Sequence, residues 1–364
     1  MLLKLIAILL ALTSLSAHQA MADGDSVKVG VMASLSGNWA SMGEMTRKGL
    51  TLAAEELNAN GGVIGKKIVL QMQDTDEAVS AAKVVSTYRF LRSQGISIFV
   101  GPSGSPGGIA LAPIASRDDI LMVSPSVGVS DFHLAGNNLF DIQGDWENAS
   151  AMLAKYAFKA GIRQIAIFSS QQPFELRQAD AFQSTFLAAG GEVLVRQDPL
   201  PEHTDLRAQV LKIVRTKAPA IFFANYNQMG RSARQLKEAG FEGTQFATLI
   251  DASRLTSASG ALNNTIFTRL IDNPENKFTE VFRKRFGEEP SFTADTAYDA
   301  LLSIAKAAVI AGSFEPSPLK LAMKAVSFDG ASGHISFDKD GCAIRKPTAW
   351  KVVGEKFEFV MPLE

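Results

Sequence analysis

Hydroxyl-bearing and glycine residues cluster in this chain directly after short apolar runs. The segment from Ile96 to Ser130 carries two such loops: Ser103-Gly104-Ser105-Pro106-Gly107-Gly108 after Ile96 to Val100, and Ser124-Pro125-Ser126-Val127-Gly128 after Ile120 to Val123. One loop of this kind would be an ordinary strand-to-helix turn, because Ser, Gly and Pro are what such turns are made of. Two in tandem at the ends of neighbouring strands present hydroxyls and backbone N–H groups to a small molecule, at the sheet edge where open α/β sheets bind ligands. Trp39, Phe174 and Tyr226 each follow another apolar run and could wall a cleft at that edge. Asp251, just past Phe246 to Leu249, adds a carboxylate suited to a ligand cation, or to capping the turn ahead of Ser253.

Other chemistries are poorly served. The glycines at 101, 104, 107 and 108, with prolines at 102 and 106, do not form G-x-G-x-x-G, and neither a P-loop nor a G-x-S-x-G elbow is present. His18, His133, His203 and His334 lack metal-ligand spacing. The single cysteine, Cys342, excludes an intramolecular disulfide and a multi-thiolate zinc site. Asp74-Thr75-Asp76 reads as a turn and helix cap rather than an acid/base pair. No catalytic residue, metal or cofactor is expected, and an enzyme using the cleft is the third-ranked reading.

The elements that must position these residues alternate. Val27 to Met32 reads as a strand, Glu44 to Asn58 as a helix stopped by Gly61-Gly62, Ile68 to Met72 as a strand and Ala78 to Ser93 as a helix; Ile109 to Ser116 is the helix between the two loops. After Leu139 to Ile142 the alternation resumes, with helices at 148–160, 174–189, 206–216 and 229–239 and strands at 164–168, 192–196, 220–224 and 246–249. The last part offers helices at 278–286, 293–311 and 319–325, then antiparallel strands at 333–337, 349–353 and 357–360. The expected fold class is α/β, with two doubly wound parallel-sheet units and a cleft between them.

The 364 residues suffice for about two domains. Lys plus Arg number 36 against 37 Asp plus Glu, so the chain has no electrostatic footprint for nucleic acid. At the N-terminus Lys4 sits in an apolar run from Leu2 to Leu12, and Ala20-Met21-Ala22 has the form of a signal-peptidase site. The expectation is a signal peptide over 1–22, cleavage after Ala22 and a soluble exported product, most simply periplasmic.

VGVMASLSGNWASMG, GLTLAAEELNANGGVIGKKIVLQMQDTD, VGPSGSP, ILMVSPSVG, YAFKAGIRQIAIF and TAYDALLSIAKAA, quoted in chain order, span almost all of the chain after residue 22. With these motifs it resembles the periplasmic leucine/isoleucine/valine-binding protein family, the solute receptors of ABC importers with a type I fold. The resemblance implies two lobes joined by three hinge crossings, lobe one over 23–143 and 274–345 and lobe two over 144–273 and 346–364. It implies a solute handed to an ABC permease and its ATPase in the inner membrane, and no cofactor. A sensor of the same fold, signalling to a regulator, is the rival reading.

Residue by residue, the resemblance implies that Ser105 and nearby amides hold the ligand's carboxylate, that Ser126 and Gly128 receive its amino group, and that Met42, beside Trp39, covers its side chain. Phe174 and Tyr226 match aromatics of the second lobe, and Asp251 lies within a residue of the acid that pairs with an ammonium. The chain departs from the family pattern at Gly128, which lacks the usual hydroxyl, at Phe174, which lacks the usual phenolic oxygen, and in having no early disulfide. An amino acid or small organic acid is the first choice of ligand, with amides, urea and aromatic carboxylates open.

Overall fold

The computed structural model describes residues 26–77, 80–270 and 276–364; the expected signal peptide and its cleavage point lie outside the described residues. Five strands, β1 (Ser26–Ala33), β2 (Lys67–Asp74), β3 (Ile98–Val100), β4 (Leu121–Ser124) and β5 (Leu139–Asp141), form an all-parallel sheet in the order β2-β1-β3-β4-β5. Both faces are covered, so consecutive strand residues enter different cores. Val29, Val31, Ile98, Val100, Leu121 and Val123 pack beneath the helices Ala40–Ala59 and Ala294–Ala311. Met32, Phe99 and Met122, pointing the other way, pack with Tyr88, Leu91 and Leu111 of the helices Ala81–Ser93 and Ser105–Ala115.

The second sheet repeats this plan with β6 (Gln164–Phe168), β7 (Glu192–Gln197), β8 (Ala220–Phe223), β9 (Thr244–Ala247) and β10 (Ile266–Arg269) parallel in the order β10-β9-β8-β6-β7. A hairpin pair, β11 (Ser327–Gly330) and β12 (Gly333–Ser336), stands apart. The last two strands, β13 (Thr348–Val353) and β14 (Lys356–Pro362), then extend the second sheet antiparallel beyond β10. The chain thus passes between sheets three times: after β5, after β10 and before β13.

Several expectations shift at their edges. The helix placed at 109–116 begins at Ser105, because Gly104 is extended and Pro106, whose missing N–H costs nothing in a first turn, starts the helix early. The helix placed at 44–58 begins at Ala40, which puts Met42 in its first turn. A helix at Ala252–Ala258 and the strands β10 and β11 were not expected; each is short, and β10 is held by a partner remote in sequence.

Two of these crossings are tied together. Asp141 donates its N–H to the Gly341 carbonyl at 3.0 Å and accepts from the Ala343 N–H at 2.8 Å. Arg345 donates to the Ile142 carbonyl at 2.9 Å and to the Ser332 carbonyl at 2.7 Å. Cys342, between them, is buried at 3% exposure, and burial together with the nearby Asp141 raises its thiol pKa.

Candidate functional site

A cavity of about 440 Å³ lies where the carboxyl ends of β1, β3 and β4 face those of β6, β8 and β9. Of the eight residues singled out in the sequence, seven line it: Trp39, Met42, Ser105, Ser126, Phe174, Tyr226 and Asp251. Gly128 does not. Its φ of +64° and the bond from its N–H to Asp141 Oδ2 at 2.7 Å fix the loop behind the wall. A Cβ there would lie 2.8 Å from the Phe174 ring, so the missing hydroxyl makes room for that ring rather than facing a ligand.

The wall from the first sheet is neutral and tightly cross-linked. The Ser105 hydroxyl donates to the Val127 carbonyl at 2.6 Å, and the Ser126 hydroxyl donates to the Ser103 carbonyl at 2.7 Å. The hydroxyls expected to hold a ligand therefore strap the two loops together. Ser103 differs: it lines the cavity, is 1% exposed, and its hydroxyl has no hydrogen-bond partner within the protein. Beside it the Ser105 amide opens the helix, where an α-helix leaves N–H groups without intrahelical acceptors. Three serines in adjacent turns look alike in sequence, and only the cross-strapping shows which hydroxyl is left over.

Behind this wall, Glu77 is 3% exposed and accepts from the Ser103 N–H at 2.9 Å, the Gly104 N–H at 2.5 Å and the Thr75 hydroxyl at 2.9 Å. Burial pushes its carboxyl up to about 7 against the pull of those donors. A Cβ on Gly104 would lie 2.4 Å from the Trp39 ring and 2.8 Å from the Glu77 carboxylate. Glycine at 104 lets the indole and the carboxylate close on the helix start together.

The wall from the second sheet is ionic. Asp251 caps the Ala252–Ala258 helix, with Oδ1 accepting from the Arg254 N–H and the Ser253 hydroxyl, both at 2.9 Å. Its Oδ2 accepts from the Tyr226 hydroxyl at 2.6 Å and from Arg254 Nη1 at 3.4 Å. Burial favours the neutral acid, but Arg254 and the Tyr226 hydroxyl together hold the carboxyl below its ordinary value. The Arg254 guanidinium lies 3.6 Å from the Tyr226 ring centroid and also donates through Nε to the Tyr226 carbonyl at 3.1 Å. Arg254 lines the cavity, as does Glu175, and neither was singled out in the sequence. An arginine three residues past an aspartate is a common surface pairing, and the short helix that turns it inward was not foreseen.

Glu175 is 2% exposed, next to Phe174 in the first turn of the helix Pro173–Ala188. It accepts from the Asn227 N–H at 3.2 Å and contacts the Ser170 hydroxyl. Burial pushes it up to about 8, so at neutral pH it is a carboxylic acid. The two walls also meet each other: the Tyr226 and Phe292 rings are 5.9 Å apart, and Arg177 pairs with Asp131 at 2.9 Å. Among the described residues no group of three or more His, Cys, Asp or Glu side chains could hold a metal ion.

The sequence model of the family described as periplasmic binding protein matches residues 26–355. The Leu/Ile/Val-binding protein BraC3 of Rhizobium johnstonii is 28% identical over 263 residues, 69% of this chain and 70% of that protein. Among solved structures, the leucine-binding protein LivK of Thermotoga maritima superposes with a TM-score of 0.84 at 23% identity, covering 93% of this chain and 99% of that one. A solute-binding protein of an ABC transporter from Rhodopseudomonas palustris, in complex with 3,4-dihydroxybenzoic acid, also has a TM-score of 0.84, at 21% identity, covering 93% of this chain and 98% of that one.

Proposed function

The chain belongs to the periplasmic binding protein family, and from that premise we propose that it is the exported solute-binding component of an ABC importer. It encloses a small carboxylate- or amide-bearing molecule between lobe one (23–143 with 274–345) and lobe two (144–273 with 346–364) and delivers it to an inner-membrane permease driven by an ATPase. The observation that carries this reading is the presence, in one cavity, of an unpartnered Ser103 hydroxyl and the helix-start amide of Ser105 with the apolar surfaces of Trp39 beside them and Phe174 and Tyr226 opposite. Donors at one end hold an acid or amide group, and the aromatic surfaces remove the body of the ligand from water. The chemistry is capture and release rather than turnover.

A thermal-shift screen over amino acids, amides and organic acids tests it. A ligand at a hundred times its dissociation constant adds about 2.7 kcal/mol of stability, and deleting the gene should abolish uptake of that same compound. A hit that the protein consumes, or whose uptake survives the deletion, would end this reading.

A further inference from the structure

We propose that the bound solute carries no ammonium group: it is a carboxylic acid with an apolar body, and any second polar group is an acceptor oxygen taken by Arg254. The inference deepens the solute-binding reading and rests on it. Its basis is a count of charges and lone pairs on the second wall. A carboxylate offers about four acceptor positions, and all four of Asp251 are filled by the Arg254 N–H, the Ser253 hydroxyl, the Tyr226 hydroxyl and Arg254 Nη1. The other cavity carboxyl, Glu175, is buried, accepts a hydrogen bond from the Asn227 N–H and contacts the Ser170 hydroxyl, and its burial favours the neutral form.

With Asp251 and Arg254 offsetting one another, what remains open on this wall is a donor. Arg254 has five N–H donors. Nε bonds the Tyr226 carbonyl, Nη1 bonds Asp251 and the Ser253 hydroxyl, and Nη2 bonds Asn227 Oδ1 at 3.3 Å, which leaves one Nη2 N–H. A ligand ammonium at this wall would lose its water, find Asp251 fully engaged and lie close to a guanidinium. An oxo, hydroxyl or carboxylate oxygen would instead complete the Arg254 donor set. At the opposite wall the Ser105 amide can only donate and the Ser103 hydroxyl can donate beside it, a pair suited to hold the acid group. The expectation that Asp251 pairs with an ammonium is therefore replaced by one in which Asp251 holds Arg254.

The test is calorimetry on the exported chain with pairs of ligands that differ only in amine against oxo: phenylalanine with phenylpyruvate, and leucine with 4-methyl-2-oxopentanoate, alongside benzoate and the corresponding amides. Support is an oxo acid or benzoate binding at least a hundredfold more tightly than either amino acid and, for an oxo acid, an Arg254→Gln variant that melts normally and binds it at least tenfold more weakly. Equal or tighter binding of an amino acid in either pair overturns the inference and leaves the solute-binding reading standing, as does binding of amides alone. An oxo-acid affinity unchanged in Arg254→Gln overturns the role of Arg254. No binding by any member of the panel overturns both readings.

Discussion

The two walls of the cavity solve the problem of buried polarity by different means. On the first, hydroxyls and carbonyls of two adjacent loops satisfy one another, and the carboxylate that takes the loop amides, Glu77, is withdrawn behind the helix start. On the second, charged side chains stand at the surface of the cavity and are neutralised there, Asp251 by Arg254 and Glu175 by keeping its proton. The neutral wall is fixed before any ligand arrives and offers donors. The ionic wall offers one N–H of a guanidinium whose other donors are already engaged. A cavity built this way discriminates by which donors it leaves unpartnered rather than by how many charges it contains.

The sharpest way to break the contrast is to remove the withdrawn carboxylate. Glu77→Ala leaves two buried amides and the Thr75 hydroxyl without acceptors, and should destabilise the protein by roughly 3 kcal/mol or more in urea unfolding. A loss below about 1 kcal/mol would mean that the first wall does not depend on it.

On the other wall, Glu175 binds a proton in the folded state up to about pH 8, whereas unfolded it releases that proton near its ordinary value. Its contribution to stability is thus complete below that ordinary value and is lost as pH rises toward 8. Glu175→Gln has no proton to lose. Relative to the parent it should gain stability progressively between pH 5 and pH 8, by of the order of 3 kcal/mol, and then level off. A difference independent of pH would show that Glu175 is already ionised.

Smaller effects test the packing between the walls. Gly128→Ala forces a side chain into a left-handed backbone position and against the Phe174 ring, at a cost of about 2 kcal/mol by chemical denaturation. Smallest, and most specific, is a pair of serines. Ser103→Ala should weaken ligand binding by about 1.5 kcal/mol, roughly tenfold, with little change in stability. Ser105→Ala should lose about 1 kcal/mol of stability through its strap to Val127 and change affinity less. The reverse pattern in calorimetry would return the ligand-holding role to Ser105.

How far the sequence reached follows the same division. Two doubly wound sheets were legible because strands buried on both faces read as unbroken apolar runs such as Ile165 to Phe168 and Ala220 to Phe223, separated by helical periods. The cavity residues were legible as a group, since each follows the carboxyl end of a strand. What each one does was not. Whether a serine hydroxyl is free or tied to a carbonyl depends on the distance between two loops, and local composition carries no trace of that distance. Arg254 and Glu175 escaped notice because charged residues beside helix starts are usually solvated, whereas here Glu175 is buried against Ser170 and Asn227 and Arg254 folds over the Tyr226 ring. The strand β10 was missed for a related reason: four residues, Ile266–Arg269, are too few to show a period, and its neighbours are β9 and the far-off β13.

The hinge cysteine has a practical consequence. Cys342 is the chain's one thiol, sealed between the crossings and held in its protonated, unreactive form. Maleimide chemistry on the natural background should therefore find nothing to attack, so a cysteine introduced at exposed Asn38 and another at exposed Asn227 would be the sole points of attachment for a dye pair or two spin labels. Both positions edge the cavity from opposite sides. The separation of such probes, followed in real time while solute is added, would report the gap between the lobes one molecule at a time, with no residue of the hinge replaced.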